Sequence, residues 1–204
     1  MNGRAHCGVS ITVPGNDYHF ITRWRVAGTA EEVSTVIGDP TELPRWWPSV
    51  YLAVDELAPG DASGIGRRIA LYTRGWLPYT LRWDFEVTRA DGPGGLELVA
   101  SGDFVGRGIW SFEQEGDEVF VTYDWKLRAE KPLLKRLSGV LRPVFSANHR
   151  WAMARGEESL RLELRRRTGE PSVPAPPGTS RSGTLMLGAL GGIVAFAALS
   201  RLRR

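Results

Sequence analysis

The chain has 204 residues, 42% hydrophobic and 24% charged, and its eight Trp and seven Phe supply enough apolar surface to exclude disorder over most of its length. A single cysteine, Cys7, excludes a disulfide framework and reads as an incidental free thiol of a reducing compartment. Four arginines (Arg181, Arg201, Arg203, Arg204) and one acid (Glu170) follow Thr168, so the net charge of +3 lies in the tail; the first 168 residues, with 22 basic and 22 acidic side chains, are neutral and carry no electrostatic footprint for nucleic acid.

Residues 1–16 read as a flexible N-terminus without the apolar run of a signal peptide, so the domain that follows is expected to be made and kept in the cytoplasm. Tyr18–Ala27 alternates Phe20, Trp24 and Val26 against Arg23 and Arg25, the period of a strand. Thr29 then caps a short helix. Glu31 and Glu32 occupy its first turn, Val33, Val36 and Ile37 form its apolar face, and Gly38-Asp39-Pro40 ends it. A second short helix is predicted over Thr41–Trp47, closing at Pro48.

Strand-like stretches follow at 50–57, 65–74, 79–89, 95–103, 106–114 and 118–129, separated by Gly-, Pro- and Asp-rich turns. Their short connections predict a meandering antiparallel sheet. Residues 131–167 return to helical spacing, with a break or kink expected at Pro143 between Leu133–Leu141 and Val144–Arg167. Phe145, His149, Ala152, Gly156 and Leu160 form one stripe of the second segment, and the pairs Glu157/Arg161 and Glu163/Arg167 are expected on its outer surface.

Residues 169–183 are a Pro- and Gly-rich linker. The uncharged run Thr184–Ser200, about 26 Å long as a helix, is expected to be a single transmembrane helix before the basic tail 201–204. Gly188 and Gly192 form a small-xxx-small pair able to support a homodimer. The arginines beyond the run favour the opposite orientation by the positive-inside tendency, but a domain without a signal is hard to export.

The strand faces carry the chemistry. Tyr79, Leu81, Trp83, Phe85 and Val87 share one side of strand 79–89; Val119, Val121, Tyr123, Trp125 and Leu127 share one side of 118–129; Gly108, Trp110 and Phe112 come from 106–114. Rings with polar tips suit an apolar ligand cavity. They also fill solid cores, and alternation alone does not separate the two.

Several stretches resemble the START-like, helix-grip (SRPBCC) superfamily, specifically its polyketide cyclase/dehydrase and lipid-transport branch. They are Arg25–Val33, Asp39–Pro48, Gly75–Trp83, Gly102–Gly108 and Asn148–Gly156, and the resemblance covers residues 17–168. It implies an α+β fold in which a curved antiparallel sheet of about seven strands wraps a long C-terminal helix, with a cavity between them roofed by Val144–Arg167. The implied functions run from lipid binding to polyketide cyclisation, and the fold does not choose among them.

On this reading the chain is a membrane-tethered binding protein for a lipid or polyketide-like small molecule. Trp83, Trp110 and Trp125 would bury the ligand, and Tyr72, Tyr123, Asn148 and His149 would orient it. The alternatives are a cyclase or dehydratase using the same cavity, or an interaction module whose aromatics are all packed. His149 is the one weak catalytic candidate, as a proton shuttle; a core histidine satisfied by a backbone or carboxylate partner is the favoured reading. Asp103 could orient His149 but reads better as a turn residue, and Trp46 and Trp47 as a wedge rather than a gate; the hydroxyls of Tyr72, Tyr79 and Tyr123 suit a ligand carbonyl and structural partners equally. With His6, His19 and His149 far apart and one cysteine, no metal site is expected, and no cofactor.

Overall fold

A computed structural model describes residues 16–179, with backbone only for 133–141. Seven strands form one antiparallel sheet: β1 (Asp17–Ala27), β2 (Tyr51–Pro59), β3 (Arg67–Arg74), β4 (Thr80–Ala90), β5 (Gly95–Gly102), β6 (Phe104–Glu115) and β7 (Glu118–Ala129). Helices α1 (Ala30–Ile37) and α2 (Leu43–Trp46) lie between β1 and β2, and α3 (Pro132–Arg167) follows β7.

The strand order is β1-β7-β6-β5-β4-β3-β2. Strands β2 to β7 meander as their short turns require. β1 instead pairs with β7, in a register that sets Phe20 opposite Trp125 and Trp24 opposite Val121. β1 and β2 therefore stand at opposite edges, and α1 and α2 carry the chain between them.

Thr29 makes a full capping box: its Oγ1 accepts from Glu32 N–H, and Glu32 Oε2 accepts from Thr29 N–H at 2.8 Å. The second short helix is a 3-10 turn, Pro40–Glu42, running into the single turn of α2. Period-two alternation puts Val119, Val121, Tyr123, Trp125 and Leu127 of β7 into the core, where the inward residues of β1, β4 and β6 meet them.

Two expectations for the last helix are corrected. The expected break at Pro143 is absent: α3 runs through the exposed proline as one helix of 36 residues, so the proline costs a backbone hydrogen bond without ending the helix. Glu157 and Glu163 are also not on an outer surface, being 6% and 1% exposed. The end of α3 is covered by β1, α1 and α2 as well as by the sheet, a wider arc than its apolar stripe suggests.

Each buried carboxylate has its partners. Glu157 Oε1 accepts from Arg161 at 2.6 Å and from Arg25 N–H. Glu163 accepts two hydrogen bonds from Arg45 of α2 and one each from Arg166 and Arg167.

The expected transmembrane run 184–200, with Gly188 and Gly192, lies outside the described residues. Among the described residues no helix is long and apolar enough to cross a membrane.

Candidate functional site

Between the concave face of the sheet and α3 lies a cavity of about 130 Å³. Its floor is a run of rings from β7, β6 and β4: Trp125 lies 5.7 Å from Tyr123 and 5.9 Å from Trp83, and Phe104 lies 6.1 Å from Trp83. Gly108 makes this floor possible. A Cβ there would stand 2.7 Å from Tyr123 Oη and 3.0 Å from Trp125 Cε3, so the two rings lie flat over β6 only because residue 108 has no side chain. Phe20, Tyr79 and Phe145 close one side, and α3 supplies Asn148, His149, Ala152 and Met153.

A second, smaller lobe of about 80 Å³ lies beneath α1 and α2. Trp47, Tyr51, Trp83, Tyr123 and Met153 border both lobes and form the partition between them.

The polar groups of the first lobe are mostly phenols. Burial pushes the hydroxyls of Tyr51, Tyr79 and Tyr123 above their ordinary range, so all three stay protonated donors. None of the three makes a hydrogen bond to another described residue. Thr73 Oγ1 accepts from Trp83 Nε1 at 3.1 Å and keeps its own proton to donate. Arg74 is the one charged residue in the wall, which holds no carboxylate. Among the described residues no cluster of His, Cys, Asp or Glu is placed to hold a metal ion.

His149 stacks on Phe20 at 4.0 Å with 16° between the planes. Part of its ring borders the cavity, but Nε2 is inaccessible to solvent and has no partner. Burial, helped by the positive charge of Arg150, lowers its pKa to about 3, so the imidazole is neutral at physiological pH. No backbone or carboxylate partner among the described residues satisfies its Nε2, while the rest of the ring borders the cavity.

The structure brings Trp83, Tyr123, Trp125, Asn148 and His149 together around the first lobe. Trp110 lies in the second lobe, behind Tyr123. Tyr72 does not reach either lobe: the alternation of β3 turns Ile69, Leu71 and Thr73 inward and Tyr72 outward, where the Arg82 guanidinium covers its ring at 4.4 Å.

Asn148 works on the β3–β4 turn, its Oδ1 accepting from Trp76 N–H at 2.9 Å and from Leu77 N–H. Asp103 is a junction residue, accepting from Arg82 N–H and Lys131 Nζ, with no bond to His149. Trp46 and Trp47 are buried as a wedge, Trp47 lying against Gly156 of α3 and edge-on to Trp24.

Tyr51, Thr73, Met153 and Arg74 were not singled out from the sequence. Their signal is positional: Tyr51 opens an edge strand, and Arg74 precedes a turn, where period-two counting fails.

Solved structures of START/SRPBCC type, polyketide aromatase/cyclases among them, share this fold. TTHA0849 from Thermus thermophilus superposes with a TM-score of 0.58 at 20% identity, over 76% of this chain and 99% of that one. A START superfamily protein from Mycobacterium smegmatis gives 0.55 at 16% identity, over 72% and 97%. The Zhui aromatase/cyclase from Streptomyces sp. R1128 gives 0.57 at 15% identity, over 74% and 96%. At such identities the likeness is one of fold. No family model and no curated protein matches the sequence.

Proposed function

We propose that the domain binds an uncharged, largely apolar small molecule carrying at least one hydrogen-bonding group, and that residues 184–200 tether it to a membrane. The observation that carries the binding reading is the set of phenol hydroxyls on Tyr51, Tyr79 and Tyr123, which line an aromatic cavity and make no hydrogen bond to another described residue. Such hydroxyls are open to an acceptor on a bound ligand, a hydrogen bond worth about 0.5–1.5 kcal/mol.

The same chemistry favours binding over acid–base catalysis. Every titrating group of the first lobe that departs from its ordinary value moves away from neutrality, the phenols upward and His149 downward. The tether rests on the uncharged run 184–200 alone, and it would keep the cavity beside the phase in which such ligands dissolve.

Native mass spectrometry of the full chain after gentle extraction tests the binding reading, paired with titration of N-phenyl-1-naphthylamine as a neutral apolar probe. The expected result is a reproducible apolar adduct, with probe affinity about tenfold weaker in Tyr123→Phe. An apo mass together with no probe binding overturns it.

A further inference from the structure

The second lobe differs in kind from the first. Apart from the partition rings and the indoles of Trp46 and Trp110, its wall is aliphatic and phenyl side chains such as Leu43, Leu71, Phe85 and Leu98, with one charged residue, Arg67, at its rim. Gly38, Arg67, Val87 and Leu96 border both this lobe and an outer groove between α1 and the β2–β3 loop. Arg67 is the one charged residue that the lobe and the groove share. Its Nε and Nη2 donate to Glu56 Oε2 at 2.7 and 2.6 Å, Nη1 donates to the Gly38 carbonyl at 3.3 Å, and Asp39 Oδ1 lies 3.7 Å from Nη2. One guanidinium thus ties the end of α1 to the edge strand β2 across the rim.

Resting on the binding function proposed above, we infer that the second lobe is a separate subsite for the unbranched aliphatic end of the ligand, and that Arg67 is an ion-paired latch over its own mouth. The polar end stays among the phenols of the first lobe, and the chain passes the Trp47–Tyr123 partition. A carboxylate or phosphate head is disfavoured at the latch, because Glu56 and Asp39 already engage Arg67. The pairs are partly exposed, so they hold the mouth weakly and are screened by salt.

The test is a series of straight-chain alcohols, hexanol to tetradecanol, displacing N-phenyl-1-naphthylamine from the full-length protein, read at equilibrium and by stopped flow. Affinity should rise about three- to fourfold per methylene until the second lobe is filled. Leu98→Trp, which fills that lobe, should end the rise at a shorter chain while hexanol still binds. Because Leu98→Trp burdens the core, Arg67→Ala is the independent variant. It should speed both association and dissociation of the long alcohols about three- to fivefold, as should raising the salt on the parent protein.

Hexanol binding with no gain from added methylenes, or rates indifferent to both Arg67→Ala and salt, overturns this inference and leaves the binding function standing. No binding of any alcohol or of the naphthylamine overturns both.

Discussion

The stack of His149 on Phe20 and the sealing of its Nε2 make one side chain responsible for a pH response. Between the ordinary value of 6.5 and the folded value of about 3, the unfolded chain takes up a proton that the folded chain refuses. Stability therefore rises with pH through that window, and acidification within it weakens the fold by up to about 1.4 kcal/mol per unit. Glu163 acts lower down. Burial is the largest single influence and pushes its carboxyl up, but the hydrogen bonds from Arg45, Arg167 and Arg166 together prevail and bring it from 4.5 to about 2. Its contribution is present above 4.5 and is lost as pH falls toward 2. His149→Phe keeps the stack and removes the unpaired nitrogen. The variant should be more stable at pH 7 by about 1 kcal/mol and flat in stability between about pH 6.5 and 4.5. Urea titrations at about pH 7.0, 5.5 and 4.5 check this; an acid slope equal to the parent's would remove His149 as its source.

At the scale of elements, α3 is positioned by a close approach that only glycine permits. A Cβ on Gly156 would fall 2.3 Å from Cζ2 and 2.5 Å from Cη2 of Trp47. Gly156→Ala gains about 1 kcal/mol of helix propensity and meets an overpacking cost of about 1–3 kcal/mol, since the Trp47 ring is wedged against Trp46, Tyr51 and Trp24. The net expectation is a loss of stability in urea, recovered in the Gly156→Ala/Trp47→Leu double variant. Additive losses in the double variant would show that the two residues do not meet. Both glycine and tryptophan are plain in the sequence; their meeting is not. Helix spacing placed Gly156 on the inward stripe, yet it says nothing of which residue arrives from the end of α2, more than a hundred positions earlier. The misplacement of Glu163 has the same origin. Its i,i+4 pair with Arg167 is real, at 2.8 Å, but the same carboxylate also takes Arg45 from α2, so a pattern that usually marks a solvated face here marks a buried junction.

Across the whole molecule, what is local in sequence is legible and what depends on strand order is not. Strand periodicity located β1 to β7 within a few residues, and the aromatic faces of β4, β6 and β7 turned inward as counted. That β1 leaves the meander to pair with β7 is a long-range choice, and it is what sets Phe20 against His149 and completes the first lobe. The Tyr72 reading failed for a smaller reason: Leu71 and Thr73 claim the inner face of β3, and parity then fixes residue 72 outside.

The remaining whole-chain proposal is attachment. A ligand suited to this cavity is scarce in water and abundant in membranes, so tethering the domain there raises its effective concentration without changing any contact in the site. If residues 184–200 are the tether, the full chain should sediment with membranes and resist an alkaline wash. Leu190→Arg with Ile193→Arg adds about 2.5–3.5 kcal/mol of insertion cost per arginine and should move the chain to the soluble fraction with its affinity for N-phenyl-1-naphthylamine intact. Equal partitioning of parent and doubly substituted chains, in either fraction, would remove the run as an anchor while leaving the cavity and its chemistry in place.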